Sequence, residues 1–211
     1  METTLTVEEK QVTSKSTSLR KKIPKELVYE VIDGKSYYYK GYKEVLNNGK
    51  KIEDIMGSSG LQSLIIDNIL MYLYDNLPRN EYKILTNELG VHLDVRNNLA
   101  ADISIYQKAK LTASDINEKY IKVAPKIIME IDTHVDLNDF DKTMDYLNLK
   151  TNKLIDFGVE KVFWFLTKSR LIFESMPVNE WRVTKWSNEI NVVDNYKFSL
   201  EKLLKDDGII K

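Results

Sequence analysis

Residues 126–132 read KIIMEID. This run is a mostly apolar strand. Its period of two puts Ile127, Met129 and Ile131 on one face and Ile128, Glu130 and Asp132 on the other. A carboxylate in such a strand is costly unless it is paired or holds a cation. Working downstream, Phe140, Met144, Leu147, Thr151 and Leu154 recur at helical spacing. They predict a helix over about residues 139–157, with Gly158 placed to end it. The runs KVFWFL, RLIFES and EWRVTKW then read as strands, and SLEKLLK as a short helix.

Upstream, ADISIY turns Ile103 and Ile105 one way and Asp102, Ser104 and Tyr106 the other. In GVHLDV, Val91, Leu93 and Val95 alternate with His92 and Asp94, and Asn97-Asn98 reads as the turn that follows. The polar stretch 107–124 has room for a short helix. Residues 59–77 are the clearest helix. Leu61, Leu64, Ile65, Ile69, Tyr72 and Leu73 form its apolar stripe, Ser58 or Ser59 caps it and Pro78 follows it. Gln62 falls off that stripe or at its edge. Near the start, YEVIDGKSYYYKGY places Asp33-Gly34 between two strand-forming runs, a hairpin signal. The order of elements predicts a mixed α/β (α+β) domain, a central mixed sheet flanked by helices and preceded by a β-hairpin. Residues 26–211 form the expected single domain, and 1–25 a flexible polar tail.

Composition narrows the chemistry. The 211 residues include no cysteine and two histidines, with 31 basic residues against 32 acidic. Disulfides, thiolate zinc sites and a cysteine nucleophile are excluded. A net charge of −1 argues against a generally basic nucleic-acid coat but leaves room for a local basic groove. No run approaches the ~18 apolar residues of a membrane span, and no secretory signal opens the chain; a cytoplasmic protein without membrane attachment is expected. Walker A, GxGxxG and GxSxG motifs are absent.

The acids carry the remaining signal. Glu130 and Asp132 share a strand face, and pairing with the strand of Asp102 would bring three carboxylates together. Such oxygen donors suit Mg²⁺ or Mn²⁺. On the helix after them, at 100° per residue, Lys150 lies about 60° and Lys153 about 120° from Leu147. Lys150 is the better placed to lean over the sheet, where an ammonium can stabilise developing phosphate charge. The alternative for these acids is an ion pair at a sheet end. His134 follows the acidic strand, and Glu88 in LTNELGV could project into the same cleft.

In order, YEVIDG, SSGLQSLIIDNIL, AADISIY, PKIIMEIDT and KTNKLIDFGVEKVFWFL resemble the motifs of one bacterial family. It is a restriction-endonuclease family of the PD-(D/E)XK nuclease superfamily, widespread in cyanobacteria and long known as a domain of unknown function. The resemblance spans about residues 28–187. Ala101 stands where relatives carry proline, Asp132 where a lysine is expected, Leu154 where tyrosine is frequent, and Gln62 where histidine is frequent. The resemblance implies a four- or five-stranded mixed sheet and divalent-metal hydrolysis of DNA phosphodiesters. Asp102, Glu130 and the Ile131 carbonyl would hold Mg²⁺ or Mn²⁺, with Asp132 assisting. Lys150 would act on water or phosphate, with Lys153 in reserve. DNA is the expected substrate, and cutting both strands suits a homodimer. A catalytically inactive module that binds nucleic acid or a protein partner is the alternative.

Overall fold

The computed structural model describes residues 23–94, 97–115, 117–132, 140–177 and 180–211. Strands β1 (Val28–Ile32) and β2 (Lys35–Tyr38) form the expected hairpin. Its two-residue turn has Asp33 at φ 52° and Gly34 at φ 73°, the left-handed pair that two-residue hairpins require. Two short helices, α1 (Tyr42–Leu46) and α2 (Glu53–Met56), lead into α3 (Gly60–Asn76). Ser59 caps α3 by accepting from Gln62 N at 3.2 Å. Then come β3 (Tyr82–Asp94), β4 (Asn97–Gln107), β5 (Ile127–Ile131), α4 (Phe140–Phe157), β6 (Lys161–Leu166), β7 (Leu171–Met176), β8 (Glu180–Lys185), the small hairpin β9 (Ile190–Val193) and β10 (Tyr196–Phe198), and α5 (Leu200–Asp206). Gly158, at φ 113°, ends α4 as its position suggested.

Eight strands make one mixed sheet in the order β2-β1-β4-β5-β6-β7-β8, with β3 also paired to β4. The sheet is therefore larger than the four or five strands implied by resemblance. Among the named strands, β5 and β6 form the parallel pair, and α4 supplies the crossover that parallel strands need. One sheet face buries Ile103, Ile105, Ile127, Met129, Ile131, Phe163 and Phe165 against Ile65, Ile69 and Leu73 of α3 and Leu200 and Leu204 of α5. The other face packs Ile128, Val162 and Trp164 against Tyr146, Leu147 and Leu154 of α4. The result is three layers, with the two apolar faces of β5 divided as period two dictates.

Two local expectations change, and a third is met in a tighter form. Asn97 and Asn98 belong to β4 rather than to a turn, because Asn97 pairs with Asp94 and Asn98 with His92. The segment 107–124, with room for a short helix, holds two 3-10 helices among its described residues, Lys108–Lys110 and Ala113–Asp115. The stripe of α3 is rotated from the expected one. Leu61 and Leu64 are 40% and 43% exposed, while Gln62 and Asn68 are buried. Both polar side chains are satisfied inside, which is what lets them displace leucine: Gln62 donates to Ile131 O, and Asn68 to Leu64 O and Asp207.

A break in one sheet edge positions everything that follows. β3 runs along one edge of β4, so β1 and β5 share the other. On that edge β1 meets β4 at Val31↔Asn98, and β5 meets it at Ile103↔Met129. Between these pairs β1 and β5 part, and side chains take over the hydrogen bonds that a strand would have made.

Candidate active site

The gap is filled by charge. Ala100 N donates to Glu30 Oε1 at 3.2 Å, and Ala100 O accepts from Lys150 Nζ at 2.8 Å. Beyond the gap, Ile131 N donates to Asp102 Oδ2 at 2.7 Å rather than continuing the ladder. Register carried one step past Ile103↔Met129 sets Asp102 across from Glu130. Thus Glu30 from β1, Asp102 from β4, Glu130 from β5 and Lys150 from α4 converge, all buried.

Lys150 is the hub. Its Nζ lies 2.6 Å from Glu30 Oε1 and 3.0 Å from Glu130 Oε1, and its side chain is 1% exposed. It reaches this point because Tyr146, Leu147, Thr151 and Leu154 seat α4 on the sheet, and Lys150 falls on the same buried side. The ring of Trp164 lies 5.6 Å and that of Tyr29 5.9 Å from the ammonium. Trp164 is fixed by its own bond to Thr151 Oγ1, 2.9 Å. Burial opposes the lysine charge, but Glu130 and Glu30 outweigh it and hold the ammonium well above the ordinary lysine range.

The two glutamates differ. Glu30 is saturated, with Tyr146 OH donating to Oε2 at 2.6 Å while Lys150 and Ala100 N serve Oε1. Glu130 Oε1 is buried and touches Lys150 without an aligned hydrogen bond. Burial pushes the Glu130 carboxyl up to about 8; Lys150 pulls against this, while Asp102 and Glu30 add to it. Burial and the negative charge of Glu30, Glu130, Asp102 and Glu88 likewise raise the Tyr29 hydroxyl well above its usual range.

Of the other expected residues, Ile131 and Glu88 border the cluster, while Asp132 and Lys153 pair outside it. Asp132 does not join Asp102 and Glu130, because β5 ends at Ile131 and Asp132 turns to φ 57°. Its carboxylate instead receives Thr167 N at 2.7 Å and the Thr167 hydroxyl. Lys153 is a surface lysine paired with Asp33 at 2.6 Å. The Ile131 carbonyl accepts from Gln62 Nε2 at 2.9 Å, so Gln62 borders the site through the main chain. Glu88 is exposed in a bulge of β3 directly opposite Asp102: Thr86 pairs with Ile103 and Leu89 with Ala101, so two residues, Asn87 and Glu88 at φ 72° and 49°, face the one. Thr86 Oγ1 donates to Asp102 O at 2.7 Å beside it. His92 contacts Asn98 at 2.6 Å. His134 lies outside the described residues.

Glu30 is the residue that the sequence analysis missed. It carries the same signal as Glu130, a carboxylate on the inward face of a strand-forming run, in YEVID.

The oxygen donors present fit a hard divalent cation. Glu130 offers a buried oxygen without a hydrogen bond, the local charge is negative, and Ile131 O retains a second lone pair beside Gln62. Among the described residues no three His, Cys, Asp or Glu side chains close into a ready metal cage. Two carboxylates with water or phosphate completing the shell is the usual arrangement for Mg²⁺.

No family model matches the chain, and no curated protein matches it. The fold is similar to the crystal structure of a "putative nuclease belonging to DUF820" from Anabaena variabilis ATCC 29413. The TM-score is 0.61 at 16% sequence identity, over 83% of this chain and 89% of that one. The chain thus shares the mixed α/β architecture of that protein, a central mixed sheet between helices. Among the described residues no helix is long and apolar enough to cross a membrane.

Proposed function

We propose that the protein is a divalent-metal-dependent nuclease that hydrolyses DNA phosphodiester bonds. One observation carries this reading: a buried ammonium 3.0 Å from a carboxylate of β5, beside a second carboxylate on β4, where two strands part. Asp102 and Glu130 would hold Mg²⁺ or Mn²⁺, with the Ile131 carbonyl alongside. When bound, the cation supplies Lewis-acid activation of water and neutralises phosphate charge. Lys150 stabilises negative charge developing on the phosphate. Trp164 and Tyr29 keep bulk water from its ammonium, which strengthens that interaction. Ile131 N orients the Asp102 carboxylate, and Gln62 fixes the Ile131 peptide. A two-fold dimer would present two such sites to the two strands of a duplex. Supercoiled plasmid with Mg²⁺ or Mn²⁺ tests the activity. Cleavage by wild type, lost in Asp102→Asn and Glu130→Gln with the fold retained, supports it; unchanged cleavage in either variant refutes the assignment.

A second reading has its own support, since Lys150 already neutralises part of the acid cluster and the site is closed by internal bonds. On this reading the chain is a binding module that keeps a nuclease fold. DNA mobility shifts that are equal in EDTA and Mg²⁺, with no cleavage, favour it.

A further inference from the structure

We infer that Glu30 is a positioning residue that anchors Lys150, so that a cation can take Glu130 without losing the ammonium from the site. This inference rests on the reading of Asp102 and Glu130 as the cation's carboxylates. Lys150 sits between two glutamates that are not equivalent. Its contact with Glu30 is 2.6 Å and that with Glu130 is 3.0 Å. Glu30 is held at both oxygens, by Tyr146 at 2.6 Å and by Ala100 N at 3.2 Å. Glu130 Oε1 receives no aligned hydrogen bond. Ala100 O adds a second fixed acceptor on the Glu30 side, at 2.8 Å. The ammonium therefore has two built partners in the strand gap and one looser partner on β5. When a divalent cation engages Glu130, Lys150 keeps Glu30 and Ala100 O, stays within reach of a bound phosphate and does not compete for the carboxylate. Without the Glu30 charge, Glu130 becomes the lysine's sole anionic partner among the contacts observed here, and the lysine then competes with the cation.

Manganese titration by calorimetry, in a double-mutant cycle, tests this. Glu30→Gln is expected to weaken Mn²⁺ binding about tenfold, the scale of outer partners of a metal site. In the Lys150→Met background the same change is expected to have a markedly smaller effect, because the competing ammonium is gone and only the direct influence of the Glu30 charge on the site remains. Equal weakening in both backgrounds, or none in either, overturns the inference. The second readout is the Lys150 ¹⁵Nζ signal of the metal-free protein. Its ammonium protons should exchange slowly in wild type and fast in a folded Glu30→Gln, and unchanged exchange also overturns the anchor. This signal decides the matter if Lys150→Met fails to fold. It also separates the two claims: a wild type that binds no Mn²⁺ refutes the cation reading, while the exchange rates still judge Glu30.

Discussion

Lys150 on α4 donates to Glu30 on β1 at 2.6 Å, across 120 positions of chain, and the same ammonium lies 3.0 Å from Glu130 on β5. One cation thereby ties the N-terminal hairpin, the central strands and the crossover helix together at the point where the sheet splits. The contact has no solvent to screen it, so removing one partner leaves a buried charge.

Lys150→Met is therefore expected to cost about 3–5 kcal/mol, the range for breaking a buried pair. Urea unfolding at neutral pH measures it. Adding Glu30→Gln should recover part of that loss, since it removes the carboxylate stranded at residue 30.

Stability should fall as pH rises. The Glu130 carboxyl is raised from 4.5 to about 8 in the folded, metal-free protein. Its contribution is fully present below pH 4.5 and is lost as pH climbs through about 8. Between those limits the folded state holds the extra proton, and the slope approaches about 1.4 kcal/mol per pH unit. Denaturation of wild type and Glu130→Gln across pH 5–9 isolates it: wild type should lose stability relative to the variant. Mn²⁺ affinity should rise over the same range, because the cation displaces that proton.

Asp132 is expected to be structural. Asp132→Ala removes the acceptor for Thr167 N and its hydroxyl and places alanine at φ 57°. A loss of about 1–3 kcal/mol follows from the stranded amide. Mn²⁺ binding should persist, and calorimetry of the folded variant checks this.

Lys153→Ala should leave both cleavage and Mn²⁺ binding at wild-type levels. Its partner Asp33 is at the hairpin turn, in solvent, and no described contact leads from it to the acid cluster. Matched plasmid assays of Lys153→Ala and Lys150→Met would show the contrast directly.

Local pattern alone determined a good deal of this protein. The 3.6-residue period located α3 and α4, Asp33-Gly34 the first hairpin, and alternation the faces of β4 and β5. It thereby turned Asp102 away from Ile103 and Ile105, and Glu130 away from Ile127, Met129 and Ile131, and helical angle favoured Lys150 over Lys153. These features depend on neighbours within a few residues, which the chain order displays. The tertiary structure decided the rest. Glu30 joins the site only because β1 and β5 meet the same edge of β4 and leave Ala100 between them. Asp132 leaves it because β5 stops one residue earlier and Thr167 of the loop after β6 captures the carboxylate. Gln62 turns inward because α3 meets the Ile131 carbonyl, 69 positions away. Each of these outcomes is set by pairing between distant segments, where the hydrogen-bond demands of a broken sheet edge select which polar side chains are drawn inside.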